Sequence, residues 1–375
     1  MADRRGLRTE ILITRSEAVP HARAGTSTPP IPHRKVIRSW LAPIATPNTA
    51  LALSLVVLDF LLYGAAMALA VASSSALLQV VGGLLAGVVI SRLFILGHDS
   101  CHQSFTRHRT LNRWVGRLSF MPSLTPYSLW AIGHNVVHHG YTNLSGFDFV
   151  WQPLTLAEYR ALSRARQWLE RVYRSGWAPW LYYLVEIWWK RMFFPSREFS
   201  PVRRRVFRWD CLLVSAYAVA WIAALVVAAA TMHRSIAWTL VTGFVLPFLL
   251  WNGMIGFVVY VHHTHRDIAW YADKAAWSAA SPFVSTTVHL TFRSAMSRVL
   301  HHILEHTAHH VDMSVPLYRL RKAQTLLEKK LAGHIVVQPF SWRWYVETAR
   351  GCKLYDFTAG AWTDFSGRRT DAAVR

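Results

Sequence analysis

The 375-residue chain is 53% hydrophobic yet carries 41 Lys and Arg against 20 Asp and Glu, for a formal net charge of +21. That apolar fraction exceeds the usual range of soluble domains. With 18 Trp, 18 Phe and 13 Tyr, it assigns the basic excess to a bilayer with anionic headgroups and argues against nucleic acid as a partner.

The first 46 residues are rich in Arg and Pro and lack an apolar run, which predicts a disordered basic tail with no secretory signal. Four later segments reach the roughly 20 residues that cross a hydrocarbon core, at about 48–72, 76–96, 209–231 and 236–260. Short connectors, 73–75 and 232–235, pair them into two hairpins. The connectors hold one basic residue, Arg234, and nearly all the others lie in the tail, the middle loop and the carboxyl end. By the positive-inside rule, both termini and the regions 98–208 and 261 onward are cytosolic. Two further apolar stretches, 114–132 and 177–194, are interrupted by Pro122, Pro126, Glu186 and Lys190, which predicts interfacial helices. The expected fold class is all-α integral membrane, with four spans and a cytosolic helical cap. Residues 47–320 form the membrane body and 321–375 a cytosolic carboxyl-terminal region.

Two spans carry charges. Asp59, near the middle of the first, is costly unless it faces the bundle interior, and Asn252 in the fourth is a candidate partner. Arg92 lies close enough to the cytosolic end of the second span to snorkel.

Histidines cluster three times in the cytosolic regions: His98 and His102; His134, His138 and His139; and His306, His309 and His310. One HxxxH pair is weak evidence for a metal. On an α-helix, however, residues four apart share a face, which groups His134 with His138 and swings His139 toward a neighbouring site. Adjacent histidines point about 100° apart, so each HH pair suits two different metals. Eight imidazoles exceed the needs of one tetrahedral zinc. Neutral nitrogen ligands accept Fe, Zn, Cu or Ni, and thiolate chemistry is excluded because Cys101, Cys211 and Cys352 form no CxxC pair. Asp99 and Glu305 are candidates to orient a neighbouring imidazole by accepting its second N–H, with a helix-terminal role as the alternative for Asp99. A metal or proton transporter would need ionisable residues threaded through the spans, where only Asp59 lies near mid-membrane.

The motifs HDSCH, HNVVHH and HTAHH, in this order and topology, resemble the three histidine boxes of the membrane fatty acid desaturase and hydroxylase superfamily over roughly residues 48–320. Pro126 to Trp130, Thr142-Asn143, His263-Thr264-His265 and Pro316-Leu317-Tyr318 are similar to the acyl-lipid omega-6 (delta-12) type. The resemblance implies two Fe2+ ions with O2 as co-substrate, held by the eight box histidines and a ninth after the fourth span. His263 best occupies that position, followed by His265 and then His262, while His301 and His302 are weaker candidates near the third box. Val259 stands where some relatives carry an Asn that holds a water ligand. An unactivated methylene is far too weak an acid for a side-chain base, so an oxidising metal must remove its hydrogens. The implied reaction leaves a C=C bond in an acyl chain carried by a lipid, coenzyme A or acyl carrier protein. Hydroxylase, acetylenase and ketolase activities share the boxes and are the alternatives. Electrons must come from an external ferredoxin or cytochrome b5, because the chain has no CxxCH, HPGG or cysteine cluster. Arg203, Arg204, Arg205 and Arg208 would steer an acidic donor or bind anionic lipid.

Overall fold

The computed structural model describes residues 29–200 and 202–370. Four of its helices are long and apolar enough to cross a membrane: Thr49–Ala72, Ala76–Cys101, Arg205–Thr231 and Ile236–His263. Polar side chains start three of them, Asn48, Ser75 and Ser235 accepting from the backbone N–H of Leu51, Leu78 and Trp238. At the connector end of the bundle, where Ser75 and Ser235 lie, Arg234 donates to the carbonyls of Val71, Ala72 and Ser73. The single basic residue of the connectors therefore caps the first span and ties the two hairpins together.

The spans are not equivalent. Of the most apolar stretch of each, 67% is buried in the second and 44% in the fourth, against 28% in the first and 17% in the third. The second and fourth spans are thus the inner pair, and the other two present most of their surface to lipid. Small residues permit this packing. A Cβ on Gly82 would stand 2.4 Å from the Ala70 nitrogen of the first span, and one on Gly83 would stand 2.5 Å from the Thr242 carbonyl of the fourth. Close backbone approach replaces the hydrophobic drive that lipid cannot supply. The fourth span contains a π-helical turn over Val241–Val245 just before Pro247. Pro247 has no N–H for the Gly243 carbonyl, which accepts from Trp221 Nε1 at 3.3 Å.

Both inner spans run past the expected ends, from 96 to Cys101 and from 260 to His263, and carry histidines out of the hydrocarbon region on rigid helix. Around them stands a cap of short helices. Arg109–Phe120, Tyr127–Ile132 and the π-helical Tyr183–Met192 occupy the two interrupted apolar stretches. In the last of these, Glu186 is paired with Arg166 at 2.6 Å and Lys190 at 2.7 Å.

Residues 1–28 of the expected tail lie outside the described residues. Two expectations need correction. Arg34–Leu41, within the expected disordered tail, is a helix. Its Ile37 and Leu41 are buried, and Arg34 donates to the carbonyls of His310 and Val311 at 2.8 and 3.1 Å. The segment after 320 packs on the body: Gln324 accepts from the Ala308 N–H, strand Val336–Pro339 pairs in parallel with Val288–Thr291, and Trp362 Nε1 donates to the His265 carbonyl. The second correction concerns Arg92, which does not snorkel to the interface. Its Nε and Nη2 donate to Asp59 Oδ1 at 2.9 and 2.6 Å, whereas both side-chain polar atoms of Asn252 are buried without a hydrogen-bond partner.

Replacing Gly83 by Leu should force the inner spans apart and lower stability by about 1–3 kcal/mol, as overpacking does. A Cβ on exposed Gly64 meets nothing within 4 Å. Gly64→Ala should accordingly be neutral or stabilising by up to about 1 kcal/mol. Thermal denaturation of both variants in detergent checks the contrast.

Candidate metal centre

The three histidine clusters, far apart in sequence, converge between the cap and the ends of the inner spans opposite the short connectors. They form two groups of ring nitrogens, each with all its nitrogens within 4.8 Å of one another: His98, His102, His134, His139 and His309; and His138, His263, His306 and His310. Within the first, Nε2 separations are 2.7 Å for His98–His134, 3.1 Å for His139–His134 and 3.0 Å for His139–His309. In the second, His263 and His306 approach to 2.9 Å. Nitrogens about 2.1 Å from one cation stand about 3.0 Å apart when adjacent and about 4.2 Å when opposite. The four short separations are close to that of adjacent ligands.

The local backbone decides which histidine joins which group. His134 and His138 were expected to share a site, as they would on an α-helix; they do not. Gly133–His138 is π-helical, and its wider turn swings His139 back toward the face of His134 and moves His138 to the other side, so His134 and His139 share the first group and His138 joins the second. In the α-helix His306–Val311, residues four apart do align, so His306 and His310 share the second group and His309 faces the first. Each HH pair thus straddles the two groups. His102 stands at the C-cap of the second span and joins His98, with ring centroids 4.7 Å apart.

Several imidazoles are held from behind. Asp148 Oδ1 and Oδ2 lie 3.1 and 3.2 Å from His138 Nδ1, and the same carboxylate accepts from the N–H groups of Asn143 and Val150. His263 Nδ1 lies 3.3 Å from the Thr286 carbonyl. His310 Nδ1 is 3.2 Å from Thr142 Oγ1, whose own proton goes to the His138 carbonyl. Each contact places the proton on Nδ1 and leaves the Nε2 lone pair directed at the group's centre.

Other ring nitrogens have no protein partner: both of His102, Nδ1 of His139, His306 and His309, and Nε2 of His310. A buried polar atom left unpaired is costly, and a cation would satisfy those aimed at the group centres. Burial first, and neighbouring imidazoles second, push His102, His134, His139, His306, His309 and His310 well below the usual histidine range. They are neutral at physiological pH, the state in which imidazole binds metal.

The remaining candidates lie elsewhere. His265 contacts Gln338 Oε1 at 3.2 Å and accepts from the Asp267 N–H. His302 contacts Ser297 and Glu305, and His301 contacts Asp59. His262 stacks on His306 with centroids 3.8 Å apart but belongs to neither group. Asp99 accepts from Ser104 and from the Leu317 N–H, so its side chain anchors the Pro316-Leu317 segment instead of an imidazole. Sequence reasoning missed Asp148. The available signal was a lone carboxylate within Phe147-Asp148-Phe149-Val150-Trp151, an apolar run in which a buried charge needs a partner.

A partly open apolar cavity ends on these histidines. Its walls include Phe94, Trp130, Phe149, Ile187, Met192 and Val259, and His98, His134, His138, His263 and His306 line it as well. Trp130 stacks on His134 with centroids 5.1 Å apart. The site sets apolar walls beside two groups of ring nitrogens that could each hold a metal ion.

Comparison with known proteins agrees with this chemistry. Residues 74–342 match the family model described as fatty acid desaturase. The chain is 31% identical over 259 residues to the sn-1 oleoyl-lipid 12-desaturase of Arthrospira platensis, covering 69% of this chain and 70% of that one. It is 30% identical over 276 residues to the Picosynechococcus enzyme of the same name, covering 72% and 75%. To the chloroplastic omega-6 fatty acid desaturase of Brassica napus it is 27% identical over 271 residues, covering 72% and 58%. With a metal-binding histidine centre at the end of an apolar cavity in a four-span bundle, this chain belongs to the fatty acid desaturase family.

Proposed function

We propose that the enzyme inserts a double bond at the delta-12 position of a lipid-linked acyl chain, using two iron ions held by the nine histidines of the two groups. The observation that carries this reading is the arrangement of five and four ring nitrogens around two centres at the histidine end of the cavity. The similarity to oleoyl-lipid 12-desaturases supports the position and the carrier. The balanced reaction takes one CH2–CH2 unit, O2, two electrons and two protons to CH=CH and two waters. Bound iron would supply the activation of O2 and the removal of two unactivated hydrogens, which no side chain can perform.

The protein's own contribution is positional. Apolar walls hold the alkyl chain and exclude water, so one carbon pair is held beside the imidazoles while the rest of the chain packs along Phe94, Phe149 and Ile187. Asp148, Thr142 and the Thr286 carbonyl fix the rings of His138, His310 and His263.

Electrons come from a small acidic ferredoxin or cytochrome b5. Arg203, Arg204, Arg205 and Arg208 border one groove beside Phe194, and Arg321, Lys322 and Lys329 border another beside His302. Both support electrostatic steering of such a donor. The distribution of basic residues supports a cytosolic location for the termini and the site, facing anionic lipid.

Expression in a host with its own donor chain, followed by mass-spectrometric location of double bonds, should reveal dienoic chains made from oleoyl lipid. A hydroxylated product without an alkene would sink this assignment. His138→Ala should abolish product at unchanged protein level. Asp148→Asn should lower iron affinity or turnover about 10- to 100-fold, the usual effect of losing a carboxylate behind a ligating histidine; metal analysis of purified protein reads it. Turnover with a protein donor should fall as ionic strength rises, because salt shortens the range of steering to about 10 Å at 0.1 M, whereas the single-turnover rate of pre-reduced enzyme should not change.

A further inference from the structure

The charged residues within the bundle form a cluster distinct from the two histidine groups. Asp59 of the first span is completely buried. Its Oδ1 accepts from Arg92 Nε and Nη2 of the second span, and its Oδ2 lies 2.6 Å from His301 Nε2. The third donor of the guanidinium, Nη1, goes to the Val299 carbonyl at 2.7 Å. One ion pair inside two membrane spans therefore grips the turn 299–301 at two points, one through a side chain and one through the backbone.

That turn is held in an unfavourable shape. His301 and His302 have φ of 47° and 62°, a left-handed conformation that non-glycine residues keep only when their surroundings enforce it. His302 is held in turn by its N–H to the Ser297 carbonyl and by its Nδ1 beside Ser297 and Glu305. Directly after it come Ile303, which lines the cavity, and the helix that starts at His306 and carries His309 and His310. Neutralising two charges in a bilayer would need only Asp59 and Arg92. The contacts to Val299 and His301 are additional, and they connect the bundle to the segment that bears the third histidine cluster.

We infer that Asp59, Arg92 and His301 form a positioning clamp that sets the third histidine cluster and the Ile303 wall of the cavity relative to the inner spans. This inference rests on the reading of His306, His309 and His310 as metal ligands.

His301→Leu leaves the Asp59–Arg92 pair intact, so the chain should fold with normal yield. Its kcat should fall at least tenfold with KM within twofold of the parent, and the near-infrared magnetic circular dichroism of the ferrous protein should change. His301→Gln, which retains a donor toward Asp59, should recover most of both. Arg92→Lys, which keeps the charge but loses the fork to Val299, should reproduce the kcat loss and serves as the second probe. Parent-like kcat and spectrum in both His301→Leu and Arg92→Lys, with both lost in His306→Ala, would overturn the clamp alone. If His306→Ala also kept parent-like kcat and iron content, the metal-site reading would fail with it.

Discussion

Nine imidazoles gathered into two adjoining groups of ring nitrogens impose the constraint that orders the rest of the molecule. Such a group cannot satisfy itself by hydrogen bonding, because each ring offers one donor and one acceptor and most of the close nitrogens face one another along Nε2. Bound metal would resolve the conflict, provided the rings are held so that they neither spread apart nor rotate. The inner spans extend beyond the hydrocarbon region as unbroken helix up to their histidines, and the cap supplies the contacts behind the rings.

Rigidity begins in the membrane. Backbone contact at Gly83 leaves little freedom for the inner pair to slide, Gly82 holds the second span against the first in the same way, and the Asp59–Arg92 pair adds a charged contact between the first and second spans. A buried ion pair contributes little net stability against an apolar replacement, but it is specific in geometry, and breaking one half is strongly destabilising. The outer spans have looser requirements: most of their apolar surface faces lipid, which asks only for length and hydropathy.

The cavity explains why a metal site of this kind sits at a bilayer edge. An acyl chain has no polar group near the carbons to be oxidised, so recognition must come from shape and exclusion of water along apolar walls. Val259 fits that role by presenting an aliphatic wall to the cavity. The helix Arg34–Leu41 and the segment after 320 cover the third histidine cluster from the opposite side.

Hydropathy and spacing alone determined the four spans, their pairing into hairpins and eight of the nine grouped histidines, because transfer of apolar side chains into lipid and the metal affinity of imidazole are local properties of residue type; His263 came only from the family resemblance. The tertiary structure decided how that set divides. Grouping His134 with His139 depends on a π-helical turn, and a one-residue change in repeat is invisible to a pattern that assumes 3.6 residues per turn. Asp148 behind His138, Asp59 between Arg92 and His301, and the carboxyl-terminal segment over the third cluster were likewise beyond sequence reasoning. Each is a contact between residues whose separation along the chain says nothing of their distance in space, and burial of a charge announces only that a partner exists, not which one.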